Sequence, residues 1–304
     1  MLTPQNQQSL ERLQLLAKHV VEGVLAGQHR SQHKGASVEF KEHRQYVRGD
    51  EIRAIDWKLF GKTDRLFIRQ YEDETNLRAM LLLDQSGSMA YRGTRATISK
   101  HQFAVHLAAC LSRLLVTQQD AVGLATLDSQ LRQLIPPRGT TSHLAAINSA
   151  LSQSQCGMET SLATALGQAA PQLRRRGLLI LISDCFDDVD QLVSGLRFYR
   201  HMRNEVIVFQ IWDRDELDFP FRSRTQFRSL ETAGLHKLVD PRAVRETYLQ
   251  RLASYRLQLT QALARERIDL VTCTTDQDLG ELLSAYLSHR AGRGSHRVKG
   301  QAST

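Results

Sequence analysis

No run of about 18 or more consecutive apolar residues occurs in this 304-residue chain, so it offers no candidate transmembrane helix. The N-terminal stretch MLTPQNQQSLERLQ has neither the basic start nor the apolar run of a secretory signal, and the expected location is the cytoplasm. Cysteine is scarce. Cys110, Cys156, Cys185 and Cys273 lack the spacing of a zinc or redox site and the density of a disulfide framework. They are expected to be reduced and mostly buried. Aromatic residues make up only 6%, and no basic–aromatic stripe or DNA-binding motif accompanies the net charge of +8. The positive excess gathers in Arg174-Arg175-Arg176 and in the tail SHRAGRGSHRVKGQAST, which reads as solvated surface rather than a nucleic-acid site.

What is present is a change of pattern along the chain. Residues 8–26 place Leu10, Leu13, Ala17, Val20, Val21 and Val24 on one helical face, with Gly27 or the polar stretch after it as the expected stop; residues 1–33 form this helix and a polar loop. Residues 34–75 form a separate, partly β block, with strands expected at 38–40 and 66–71 and a structured loop at 48–57. From 76 to 290 apolar strands alternate with helices. Strands are expected at 77–83, 121–127, 177–182, 206–212 and 270–273, and helices at 96–118, 142–153, 161–174, 191–203, 241–267 and 279–290. Continuous apolar strands between helices predict an α/β fold with a doubly wound, mostly parallel sheet covered on both faces. A polar segment near 214–237 is expected to carry short strands and to join the 34–75 block, and residues 291–304 form a disordered basic tail.

The strand at 77–83 ends unusually. In LLLDQSGSMA three leucines run into Asp84, followed by Ser86 and Ser88 at alternate positions. Ligands of open parallel sheets bind beyond the carboxyl ends of the strands. Asp184, in LISDCFDD, ends another apolar strand, and Thr160 precedes a helix. A carboxylate, hydroxyls and a distant second carboxylate are hard oxygen donors that suit Mg²⁺ or Mn²⁺; no His or Cys joins them, which disfavours zinc.

Asp84-x-Ser86-x-Ser88, Thr160 and Asp184, in that order, resemble the metal-ion-dependent adhesion site of von Willebrand factor A domains. The resemblance implies that Asp84, Ser86, Ser88 and Thr160 surround the ion directly or through water, with Asp184 mostly in the outer shell. Upstream, Tyr46-x-x-Gly49-Asp50-x-x-Arg53-x-Ile55-Asp56-Trp57, preceded by Glu39, Phe40 and Arg44, resembles the signature of a bacterial family, domain of unknown function 58. Its members join this block to a von Willebrand A-like domain, and their genes often neighbour those of MoxR-type AAA+ ATPases. The resemblance implies a non-catalytic, Mg²⁺-dependent protein-binding module, an adaptor or co-chaperone for such an ATPase or its client.

Other readings compete with these. Arg48, Asp50, Arg53, Asp56 and Trp57 could form a partner surface, or a buried ion-pair and stacking cluster that ties their block to the sheet. A metal-dependent, phosphatase-like hydrolase is the alternative function. Position 86 is Ser, however, where the haloacid-dehalogenase pattern needs a general-acid Asp, and DQSGS lacks the glycine that a nucleophile elbow needs two residues before its serine. Asp187, Asp188 and Asp190 read as helix-start residues. His101, His106 and His143 lie singly on helical faces, where packing or solvent explains them.

Overall fold

The computed structural model describes residues 4–31, 43–46, 57–63, 65–69, 77–157, 162–170, 176–230, 232 and 234–288. The chain divides into two compact units, one of residues 1–26 and 77–304, the other of residues 27–76.

Helix α1 spans Pro4–Ser31. Leu13, Ala17, Val21 and Val24 recur at spacings of three and four and are buried, the stripe expected of an amphipathic helix. The helix runs past Gly27 and ends in the polar stretch after it, the second of the two expected stops. One glycine costs a helix about 1 kcal/mol relative to alanine, too little to end it. In the second unit β1 (His43–Gln45) pairs antiparallel with β2 (Phe67–Arg69), and α2 (Trp57–Thr63) comes between them in sequence. Strand β2 falls within the one expected at 66–71. The strand expected at 38–40 and residues 48–56 of the expected loop lie outside the described residues. Trp57, placed at the end of that loop by the sequence, begins a helix instead.

The rest of the chain alternates strands and helices. In order they are β3 (Arg78–Asp84), α3 (Lys100–Thr117), β4 (Ala121–Leu127), β5 (Leu131–Arg138), α4 (Thr141–Ser152), α5 (Leu162–Ala169), β6 (Leu178–Ser183), α6 (Val189–His201), β7 (Glu205–Trp212), α7 (Arg214–Asp218), β8 (Thr225–Arg228), β9 (His236–Val239), α8 (Pro241–Arg265), β10 (Asp269–Thr274) and α9 (residues 279–288). Six strands form one sheet in the order β10-β7-β6-β3-β4-β5, parallel except for β5.

These runs are apolar throughout because the sheet is buried on both faces. Side chains of β3 alternate: Ala79, Leu81 and Leu83 enter a core with α1, α3 and α9, while Met80 and Leu82 enter a second core with α5, α6 and α8. Each fully buried leucine contributes about 1.5–3 kcal/mol. Local signals start the helices. Ser99 and Gln102 make a reciprocal capping box on α3, Asp188 caps α6, and Asp240 followed by Pro241 starts α8.

Strand β5 was not anticipated. Its sequence, LRQLIPPR, ends in polar and proline residues, and it lies at the sheet's edge, antiparallel to β4 with register shifts at Val122/Leu124 and Thr126/Leu127. The segment near 214–237 opens with a short helix and carries an antiparallel β8–β9 hairpin. It belongs to the larger unit. Phe219, Phe221, Phe227 and Tyr248 hold it to α8 through ring contacts of 4.7–5.9 Å.

This order positions the site. From β3 the chain moves outward to β4 and β5, then returns to β6 on the other side of β3 and continues to β7 and β10. Connections from β3 and β6 thus leave in opposite directions, and the crevice at their carboxyl ends is the topological switch point.

Candidate metal centre

Asp84 is the last residue of β3 and is almost wholly buried. Its Oδ1 accepts from the Ser86 backbone N–H at 2.8 Å, and its Oδ2 accepts from Ser183 Oγ at 2.5 Å. Ser183 ends β6, so this contact bridges the two strands at the switch point. Its Oγ also accepts from the Cys185 N–H at 2.8 Å. Ser86 and Ser88 follow Asp84 into a single 3₁₀ turn, Gly87–Ala90, and the turn sets their hydroxyls 3.1 Å apart. Ser86 is buried and Ser88 half-buried.

Asp184 follows β6 and is also buried. Next in the chain, Cys185 has φ of 59°, a left-handed conformation that is uncommon for a non-glycine residue. The turn it makes lets the Phe186 N–H donate to Asp184 Oδ1 at 3.1 Å, and Tyr255 Oη donates to the Cys185 carbonyl. Asp184 Oδ2 receives Lys100 Nζ at 2.8 Å, and the same ammonium reaches Glu216 Oε1 at 2.6 Å.

The electrostatics follow from this crowding. Burial, and then the neighbouring Asp184 carboxylate, push the Asp84 carboxyl up to about 7, against the lowering effect of its hydrogen bonds from Ser183 and Ser86. Burial alone would push the Lys100 ammonium down, but Asp184 and Glu216 outweigh it and hold it above the usual lysine range. Glu216 is raised by burial, with Lys100 pulling the other way. The Cys156 thiol is pushed up to about 12 by burial and by Asp84 and Asp184, which leaves it neither a ready nucleophile nor a thiolate ligand.

Asp84, Ser86 and Ser88 therefore come together, with Asp184 beside them. Thr160 lies outside the described residues, as do Arg48, Asp50, Arg53 and Asp56. Trp57 is 60% exposed and meets Phe60 edge-on at 6.1 Å. Asp188 and Asp190 sit at the start of α6, as expected. His101 bonds Ser154 and His143 bonds the Val122 carbonyl, so both are packed residues. Among the described residues, no group of three or more His, Cys, Asp or Glu could hold an ion. The donors that do gather are one carboxylate and two hydroxyls. They fit a hard, hydrated cation such as Mg²⁺, held weakly, better than a soft one.

Sequence reasoning missed Lys100, Glu216 and Ser183. One signal was available for the lysine. A cation at the first position of an apolar helix opposes the helix dipole and calls for an anionic partner. Next to the site, the loop 153–157 is joined to Gln85 by a Gly157 N–H bond of 2.6 Å. Gln85, Asp128, Arg132, Gln153 and Cys156 help to line an open cleft of about 810 Å³ there.

A family model described as "Protein of unknown function DUF58" matches residues 42–258, which takes in Tyr46 to Trp57 of the signature and strands β3 to β7 of the sheet. The chain belongs to the DUF58 family. The "Uncharacterized protein Rv1480" of Mycobacterium tuberculosis is 26% identical over 289 residues, 93% of this DUF58 chain and 90% of that protein. Among solved structures, BatB of Bacteroides thetaiotaomicron, a conserved hypothetical protein, is 16% identical and covers 71% of this chain and 99% of its own, with a TM-score of 0.46. The SpRpn10 VWA domain is 13% identical, covers 69% and 94%, and has a TM-score of 0.40. The doubly wound sheet of this DUF58 protein is the architecture that the von Willebrand A resemblance implied. Among its described residues no helix is long and apolar enough to cross a membrane.

Proposed function

We propose that this DUF58 protein is a non-catalytic protein-binding module whose site takes Mg²⁺ or Mn²⁺ at Asp84, Ser86, Ser88 and Thr160, with Asp184 in the outer shell. One observation carries the reading: the Asp84 carboxylate and the paired hydroxyls of Ser86 and Ser88 meet at the sheet's switch point, beside a second carboxylate. Two buried carboxylates that raise each other's energy have reason to attract a divalent cation. With only one or two carboxylates against a double positive charge, the ion keeps an affinity for an anionic ligand from outside, such as a partner's Asp or Glu. The partner proposed is a MoxR-type AAA+ ATPase or its client, and family membership is what supports that part.

Titration of the purified chain with Mn²⁺ should show one site that Asp84→Ala abolishes. Capture from native lysate should enrich an AAA+ protein, and EDTA should weaken that enrichment. An ATPase held equally well in EDTA moves the contact away from the metal, and the absence of any ATPase removes the adaptor role. Hydrolysis of a generic phosphate or carboxyl ester with Mg²⁺, lost in Asp84→Ala, would replace the binding reading with the hydrolase alternative.

A further inference from the structure

The least expected group in the crevice is Lys100. Its side chain is wholly buried, and it is the first residue of α3, where the helix dipole disfavours a cation. It is nevertheless fixed there. The Lys100 N–H donates to the Tyr91 carbonyl at 3.0 Å, and the capping box of Ser99 and Gln102 sets the start of the helix. The ammonium lies 5.1 Å from the Phe186 ring centroid and 5.8 Å from that of Tyr91. Its two ion pairs reach Asp184 after β6 and Glu216 in α7. A buried lysine between two carboxylates is a permanent charge; it has no route to swing into solvent without breaking both pairs.

We infer that Lys100 is a built-in counter-charge that sets the site's affinity for divalent cations: it partly neutralises Asp184, repels an ion bound by Asp84, and is itself offset by Glu216. The inference rests on the metal reading above and adds to it which residues tune the site. It explains how two buried carboxylates can stay adjacent in the metal-free protein. It also gives Glu216, which has no place in the donor set, a definite sign of action. Removing the lysine charge makes the site more negative by one unit, whereas removing the glutamate charge makes it more positive by one unit. At the effective dielectric of a protein, a unit charge near a divalent ion changes its affinity by about tenfold or more.

The test is Mn²⁺ titration of the full chain and of Lys100→Met, Glu216→Gln and Asp84→Ala, with thermal melts with and without the ion. Lys100→Met should bind at least about tenfold tighter than wild type, and Glu216→Gln should bind more weakly. Lys100→Met should also melt lower without Mn²⁺ and regain more on its addition. A merely structural role predicts the opposite for the lysine variant, because disrupting the same ion-pair cluster should weaken binding in both. If Lys100→Met fails to fold, Glu216→Gln alone decides, since tighter or unchanged binding there overturns the counter-charge. Wild-type binding that Asp84→Ala abolishes but Lys100→Met leaves equal or weaker overturns the inference and leaves the metal site standing. No binding by either wild type or Lys100→Met overturns both. Binding by Lys100→Met alone supports the counter-charge, with the lysine holding the wild-type site closed to the ion.

Discussion

Adding one methyl group at Gly93 should loosen the loop that leads into α3. A Cβ there would collide with Asp213 Oδ1 and would lie 2.8 Å from Asp213 Cγ and 2.9 Å from Asp215 Cγ. Neither carboxylate is free to move aside. Asp213 is buried and accepts from the Asp215 N–H at 2.9 Å, the Gly93 N–H at 2.9 Å and Thr275 Oγ1 at 3.2 Å. Asp215 is buried and accepts from the Thr94 N–H at 2.6 Å, Thr94 Oγ1 at 2.7 Å and Arg95 Nε at 2.9 Å. The loop must therefore give way. Hydrogen bonds to charged groups contribute about 1.5–3 kcal/mol each. Loss of the Gly93 bond alone costs about 2 kcal/mol, and partial loss of the Thr94 bonds takes the total towards about 5 kcal/mol. Urea unfolding followed by circular dichroism should show Gly93→Ala destabilised by about 2–5 kcal/mol. Gly167→Ala is the control. That glycine lies on the exposed side of α5 with nothing within 4 Å of an added Cβ, so the substitution should stabilise by up to about 1 kcal/mol. A Gly93→Ala protein within about 0.5 kcal/mol of wild type would refute the argument that these carboxylates clamp the loop.

Three further outcomes are expected. Asp84→Ala should leave the circular dichroism spectrum unchanged, because the relief of repulsion from Asp184 offsets the lost bonds from Ser183 and Ser86; a collapse of the helical signal would make Asp84 structural. Burial pushes His101 down to about 4, so between pH 6.5 and 4 its unfolded form binds a proton that its folded form does not, and the contribution of His101 to stability falls as pH falls through that window. That contribution approaches about 3 kcal/mol, and the stability difference between wild type and His101→Gln in urea titrations should shift by that amount against wild type as pH falls across that range. Tyr199→Phe removes a buried 2.6 Å bond to the Leu166 carbonyl that joins α6 to α5, and thermal or urea unfolding should register a cost of about 1–2 kcal/mol.

Strands β3, β4, β6 and β7 were legible because burial on both faces writes them as unbroken apolar runs, and Asp84 stood out by ending one of those runs. The hydroxyls of Ser86 and Ser88 were legible as a pair, because alternate positions in a tight turn can face one way. Strands β1 and β5 were not. The first is three residues long, and the second keeps much of its length exposed with two prolines at its end. Gly27 alone could not fix the end of α1, because a helix boundary depends on the neighbouring residues on both sides as well as on one residue's propensity. Lys100 could be marked as a misfit at a helix start, but its partners Asp184 and Glu216 lie 84 and 116 residues away, and only the sheet's strand order brings them together.

The prolines of β5 have a consequence for how any second protein can dock. An edge strand ordinarily offers a row of N–H and C=O groups that a foreign strand can extend. Pro136 and Pro137 occupy consecutive positions at the register shift between Val122 and Leu124, and neither has an N–H to give. Along that stretch the sheet cannot be lengthened by a borrowed strand, either from a partner or from another copy of the chain. That leaves this edge of the sheet, opposite β10, with a blunted template for fibre growth.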